Sequence, residues 1–170
     1  MKKMMRLGVL AALACMMLLA AGCPSKPVDP GQVGEGYTDP TLPTLTGAAL
    51  AAADELTNAK IYFEYDKFEL QAESRRVLAR KAELLKQFPQ IKVSIQGHCD
   101  ERGTEEYNLA LGERRARAAH EFLVYSGVNP TQVEMISYGK LQPAVMGSGE
   151  SVWAQNRRDE FVVLNPRGAN

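Results

Sequence analysis

The sequence predicts an α+β fold for its C-terminal two thirds, a mixed four-stranded sheet with two helices packed on one face. Three observations predict this class. Apolar and polar residues alternate in short runs, as they do in strands with one buried face. Two longer segments carry apolar residues at helical spacing. The connections are short, so elements in the order β-α-β-α-β-β can pack as one domain.

The first three elements follow one another soon after residue 58. Residues 61–65 alternate apolar with polar side chains and predict the first strand. The apolar residues of the helix that follows are Leu70, Val77, Leu78, Leu84, Leu85 and Phe88. Pro89 marks the end of this helix, because proline cannot donate the next helical hydrogen bond. Residues 91–96 alternate again and predict the second strand.

The remaining elements add the second helix and complete the sheet. In chain order they are a loop over 97–105, a helix over 106–126, a strand over 133–138, a helical turn over 151–157 and a strand over 161–164. Gly127 closes the second helix, since glycine readily adopts the left-handed conformation that follows a last helical turn. The folded domain is therefore predicted to span 58–170.

Residues 1–22 have the three-part layout of an export signal peptide. A basic start is followed by an apolar run over 7–21 and by small residues. The alternative is an uncleaved membrane anchor. A spanning helix needs about 20 apolar residues, and this run is shorter, so the signal peptide is the better interpretation.

A lipidation site is predicted at Cys23. Residues 19–23 resemble a bacterial lipobox, with Ala20 where the family most often has leucine. Cys15 is the weaker alternative, because cleavage there would leave too short an apolar core. The residue after Cys23 is Pro24 and not the aspartate associated with inner-membrane retention. The resemblance therefore implies an outer-membrane lipoprotein whose domain faces the periplasm.

Residues 23–57 are predicted to form the lipidated N-terminus and a tether. Five prolines lie between positions 24 and 43, with glycines among them, and no apolar periodicity is present. Fully stretched, some twenty-odd residues of this segment could reach roughly 75 Å. Residues 47–57 are compatible with a short helix, for which the sequence gives no role.

Composition argues against several classes of function. Residues 1–22 hold three of the 20 basic side chains and none of the 20 acidic ones, so the mature chain is slightly acidic and a poor candidate for binding nucleic acid. The sequence contains neither a P-loop nor a dinucleotide-binding glycine motif. His98 and Cys99 are adjacent on a strand and would point to opposite faces, which disfavours a nucleophile–base pair. No enzymatic activity, cofactor or metal is predicted.

One charged residue interrupts the apolar stripe of the second helix. Arg115 lies near the middle of the stripe that is formed by Leu111, Ala118, Ala119 and Phe122. A guanidinium there must reach solvent or find a carboxylate, and Asp100 in the preceding loop is a nearby acid. Two interpretations stay open: a structural Asp100–Arg115 salt bridge, with Asn108 capping the turn, or an acid and a base that bind a zwitterionic ligand.

The chain resembles the OmpA-like C-terminal domain family over roughly residues 58–164, and within that family the peptidoglycan-associated lipoproteins. The motifs that carry the resemblance are FEYDK at 63–67, GHCDERGT at 97–104, YN at 107–108, LGERRA at 111–116, SYGK at 137–140, PA at 143–144 and NRR at 156–158. Cys99 departs from the pattern, which usually has alanine or threonine there. The lipobox and the tether complete the same layout.

The resemblance implies non-covalent binding of peptidoglycan through the meso-diaminopimelate of the stem peptide. Asp100 would hold the ligand's ammonium and Arg115 its carboxylate, while Tyr65, Asp66 and Asn108 would line the cleft. The resemblance also implies that the protein links the outer membrane to the cell wall. It would do so within the Tol-Pal system of envelope integrity and cell division, with TolB and other Tol proteins as partners.

The same fold is used in flagellar stators and in the tails of outer-membrane porins. A stator needs a membrane helix with an ionisable residue, which the apolar run lacks. A porin needs barrel strands upstream of the domain, where this sequence has a tether. A single lipid-anchored binding domain is therefore the favoured interpretation.

Overall fold

The computed structural model describes residues 38–168. The predicted signal peptide, Cys23 and the first part of the tether lie outside the described residues. The elements are α1 (Gly47–Asn58), β1 (Ile61–Tyr62), α2 (Ala72–Gln87), β2 (Val93–His98), α3 (Glu105–Tyr125), a 3-10 turn (Pro130–Gln132), β3 (Val133–Gly139), α4 (Glu150–Asn156) and β4 (Arg158–Val163). The predicted α+β class is confirmed.

The sheet has four strands in the order β1-β4-β2-β3. β2 pairs in parallel with β3 and antiparallel with β4, and β4 pairs antiparallel with β1. The predicted mixed four-stranded sheet is therefore confirmed. β1 is shorter than predicted, because the chain leaves the sheet after Tyr62 and turns at Asp66, whose backbone is in the left-handed region (φ 58°).

The core lies between the sheet and the helices. Apolar residues of β2 and β4, such as Ile95 and Phe161, pack with Leu78 and Leu85 of α2 and with residues of α3. α3 approaches β2 so closely that a Cβ at Gly97 would lie 2.1 Å from the backbone oxygen of Gly112. This glycine contact places α3 directly over the end of β2, where the loop that leads to α3 begins.

α1 is part of the folded domain although its residues fall in the segment predicted as tether. Leu50, Ala53 and Leu56 are buried in the core, and the buried ammonium of Lys81 on α2 donates to the carbonyl of Leu56. The packed part of the chain therefore begins before residue 58. Small alanines supply much of the buried face of α1, so its sequence shows little contrast between a core face and a solvent face.

Among residues 38–168, no helix is both long enough and apolar enough to cross a membrane.

Candidate functional site

A small cleft of about 50 Å³ opens where β2 ends. Its walls come from the loop after β2, from the start of α3 and from the segment that follows β1. The residues that line it are Tyr65, Asp66, Cys99, Asp100, Arg102, Gly103, Tyr107, Asn108, Leu111 and Arg115. All five residues predicted to bind ligand therefore lie around one cleft.

Arg115 projects from α3 and has no solvent exposure (0%). Its guanidinium donates from Nε to the carbonyl of Lys67 at 2.9 Å, from Nη1 to that of His98 at 2.8 Å and from Nη2 to that of Glu64 at 3.2 Å. Burial lowers the pKa of Arg115 from its usual value, yet an arginine stays charged in proteins. Nη1 also donates to Sγ of Cys99 at 3.5 Å. Because a guanidinium has five N–H donors, these four contacts leave one N–H for a ligand.

Asp100 follows the last residue of β2 by two positions and is 5% exposed. Its Oδ1 accepts from the backbone N–H of Arg102 at 3.2 Å and from Nε of Arg102 at 2.9 Å. Its Oδ2 accepts from Nη2 of Arg102 at 2.6 Å and from Nη1 of Arg157 at 3.4 Å. Burial alone would raise the pKa of Asp100, but the hydrogen bonds from Arg102 and Arg157 outweigh it and the pKa lies below its usual value.

The two interpretations of Arg115 that the sequence left open have different outcomes. Within the described part of the chain, Asp100 forms salt bridges with Arg102 and Arg157 and none with Arg115. Arg115 is stabilised by backbone carbonyls, a set of partners that neither interpretation included. The acid and the base nevertheless line one cleft, which is the arrangement that recognition of a zwitterion requires.

The loop between β2 and α3 is held in place by residues at the helix start. Thr104 caps α3, because its hydroxyl accepts from the backbone N–H of Tyr107 at 3.2 Å. The buried amide of Asn108 donates to the carbonyls of Arg102 at 2.7 Å and Thr104 at 2.9 Å. Gly103 adopts a positive φ of 87° at the turn. Asn108 therefore positions the loop as well as lining the cleft.

Tyr65 and Asp66, in the segment that follows β1, form another wall of the cleft. Tyr65 is 58% exposed, so its ring stands at the mouth of the cleft. Asp66 accepts a hydrogen bond from the hydroxyl of Tyr107, which links this wall to α3. The left-handed backbone at Asp66 turns the chain so that both residues face the cleft.

Three residues of the site were not predicted from the sequence. The guanidinium of Arg102 lies between two rings, 3.9 Å from the centroid of Tyr65 and 4.0 Å from that of Trp153. Arg157 is buried and bonds both Asp100 and the carbonyl of Phe63. Trp153 is the chain's single tryptophan, and Arg157 lies in the NRR motif at 156–158. The single tryptophan and the NRR motif were visible in the sequence, but neither predicts that these residues lie beside Asp100.

His98 and Cys99 point away from each other, as their adjacency predicts. His98 lines a polar cavity of about 440 Å³ on the other face of the sheet, whereas Cys99 lines the cleft. Burial lowers the pKa of His98 to about 4 and raises that of the Cys99 thiol to about 11. Cys99 is therefore a neutral thiol near pH 7 and a poor nucleophile. Within residues 38–168, no three His, Cys, Asp or Glu side chains are grouped as metal ligands.

Comparisons with known proteins agree with the architecture. Residues 62–157 match the OmpA family. The peptidoglycan-associated lipoprotein of Pseudomonas aeruginosa is 44% identical over 168 residues, covering 94% of this chain and 98% of that protein. Its counterpart in Brucella melitensis is 38% identical over 161 residues and covers 92% of each chain.

Solved structures give the same result. The crystal structure of the peptidoglycan-associated lipoprotein from Burkholderia pseudomallei is 43% identical, with a TM-score of 0.62, and covers 64% of this chain and 92% of that one. The C-terminal domain of Helicobacter pylori MotB is 21% identical, with a TM-score of 0.58 and coverage of 62% and 83%, and shares the fold alone. The family resemblance found in the sequence is thus confirmed: the chain belongs to the OmpA family, and within it to the peptidoglycan-associated lipoproteins.

Proposed function

We propose that this protein binds peptidoglycan non-covalently through the meso-diaminopimelate of the stem peptide, and that it catalyses no reaction. The observation that carries the proposal is that a buried carboxylate, Asp100, and a buried guanidinium, Arg115, line the same small cleft. The names of the relatives support peptidoglycan as the larger ligand.

The chemistry of the two groups fits the distal end of diaminopimelate. That end carries an ammonium and a carboxylate on one carbon atom. Asp100 can accept hydrogen bonds from the ammonium, and Arg115 offers a planar guanidinium that suits a carboxylate. The cleft measures only about 50 Å³, so it suits the tip of a side chain and not a sugar ring. Tyr65 and Tyr107 at the rim would contact the rest of the peptide.

Binding to whole cell wall tests the proposal. The protein should sediment with purified diaminopimelate-type sacculi, and Asp100→Ala should release most of it, because the ligand's ammonium then has no acceptor. Asp54→Ala is the matched control. Asp54 is an exposed residue of α1 that pairs with Arg167, and neither residue lines the cleft. Equal sedimentation of a folded Asp100→Ala variant and the control would refute the assignment of the site.

We further propose that Cys23 carries the lipid that anchors the protein in the outer membrane, with the domain in the periplasm. Stable anchoring needs more than one acyl chain, and the lipobox resemblance implies a diacylglyceryl thioether together with an N-acyl chain. Mass spectrometry of the mature N-terminus checks this. An unmodified Cys23, or a mature chain that begins elsewhere, would contradict it.

We also propose a place in the Tol-Pal system of envelope integrity and cell division, which the resemblance to the peptidoglycan-associated lipoproteins supports. We propose that TolB binds a surface that overlaps the cleft, so that TolB and cell wall compete. Adding purified TolB to sacculus-bound protein should then release it in proportion to the TolB concentration. A stable complex that contains sacculi, this protein and TolB together would show that the two surfaces are separate.

A further inference from the structure

The position that a ligand ammonium would take beside Asp100 is already occupied by a cation of the protein. Arg102 donates to both carboxylate oxygens of Asp100, from Nε at 2.9 Å and from Nη2 at 2.6 Å. Arg157 adds only a longer contact of 3.4 Å. Because Asp100 is 5% exposed, little of its carboxylate remains free for a second cation to approach.

Arg102 is held in a way that allows its side chain to leave. The guanidinium lies between the rings of Tyr65 and Trp153, and the side chain is still 28% exposed. The backbone around it is fixed separately. Asn108 binds the carbonyl of Arg102 at 2.7 Å, and Lys140 binds the carbonyl of Gly103 at 2.6 Å. The side chain can therefore rotate into solvent while the loop keeps its shape.

We propose that Arg102 is an internal competitor for the ammonium subsite and regulates the affinity of the cleft. This inference rests on the proposed function. In the free protein Arg102 pairs with Asp100 and occupies the ammonium position. An entering ammonium displaces the guanidinium from Asp100, and Arg102 turns toward solvent. One cation replaces another, so the buried carboxylate of Asp100 is never left without a partner, which would be costly.

With competition of this kind, the measured affinity equals the affinity of the open site multiplied by the fraction of molecules in which Arg102 has left Asp100. Only the Arg102 side of this ion pair is partly exposed, at 28%, and solvent screening of its guanidinium limits what the pair contributes. We expect the competitor to weaken binding by about fivefold, an effect large enough to measure but small enough to keep the site functional. Removing the guanidinium should therefore strengthen binding, which is the opposite of what removing a ligand contact does.

The test measures affinity and the environment of Trp153 together. The full-length protein in detergent is titrated with the tripeptide L-Ala-D-Glu-meso-diaminopimelate, by calorimetry and by tryptophan fluorescence. Trp153 is the chain's single tryptophan and stacks on Arg102, so its emission reports whether Arg102 is in place. Arg102→Ala should bind the tripeptide about fivefold more tightly than the natural protein. Its emission without ligand should resemble that of the ligand-saturated natural protein, and ligand should change it little further.

Two further variants complete the experiment, one as a second test and one as a control. Arg102→Met keeps an apolar side chain between the two rings without the charge, and it should also bind the tripeptide more tightly. It replaces Arg102→Ala in the test if the alanine variant folds poorly. Arg76→Ala is the matched control, because this exposed arginine on α2 pairs with Glu73, and it should behave like the natural protein in both readouts.

The possible outcomes separate the two proposals. Binding by both Arg102 variants that is unchanged or weaker would overturn the competitor while leaving the proposed function intact. Binding of the tripeptide by neither the natural protein nor any variant would overturn the proposed function, and the competitor with it.

Discussion

Arg115→Lys should reduce affinity for a diaminopimelate peptide by very roughly thirtyfold or more, because an ammonium cannot reproduce the planar fork of a guanidinium. In the natural protein the three backbone carbonyls hold the guanidinium in place at the cleft wall. With lysine at this position, the ligand carboxylate would face a single ammonium. It would lose one charged hydrogen bond and the planar alignment that a guanidinium provides. Losses of this kind typically cost about 2–5 kcal/mol.

The same substitution removes contacts that hold the fold, so stability must be measured alongside binding. Arg115 joins α3 to the segment after β1 and to the end of β2, and Arg115→Lys should lower the melting temperature. Arg114→Lys is the matched control, since Arg114 is the neighbouring residue of α3 and is exposed. Calorimetric titration well below the melting temperature then separates the two effects. Natural affinity in folded Arg115→Lys would assign Arg115 a purely structural role.

Gly97→Ala should destabilise the domain by about 3 kcal/mol, since overpacking of a tight contact is costly. The added Cβ would lie 2.1 Å from the oxygen of Gly112. This atom belongs to the backbone of α3 and cannot rotate away, so the helix must move from the sheet. We expect the melting temperature to fall by roughly 10 °C.

Because α3 carries Arg115 and β2 leads to Asp100, the same shift should also weaken ligand binding. Ser94→Ala on β2 is the control, because it adds no atom between strand and helix, and it should change stability much less. A melting temperature of Gly97→Ala close to that of the control would show that the helix does not need this contact.

The elements with strong periodicity could be predicted from the sequence. α2, β2 and α3 were expected within a few residues of where they lie, because each has a regular apolar face. The role of α1 could not be predicted, since its buried face is largely alanine and its packing depends on contacts with distant α2 and β4. β1 was overestimated because the alternation continues past Tyr62, where the chain has already left the sheet.

The candidate site was predictable where a residue broke a local pattern. Arg115 interrupts an apolar stripe, so its importance could be recognised without a structure. Its carbonyl partners at Glu64 and Lys67 could not be, because backbone oxygens about fifty positions away leave no mark on the sequence. The stacking of Arg102 on Trp153 depends on where α4 lies, which periodicity does not reveal.

The most direct test of the account compares two ligands that differ in a single carboxylate. The natural protein is titrated by calorimetry with a stem peptide that contains meso-diaminopimelate and with its lysine counterpart. Arg115 can bind the additional carboxylate only in the first peptide, and in the second it would remain desolvated without this partner. We predict that the lysine peptide binds very roughly thirtyfold more weakly or worse. Equal affinities for the two peptides would contradict the account.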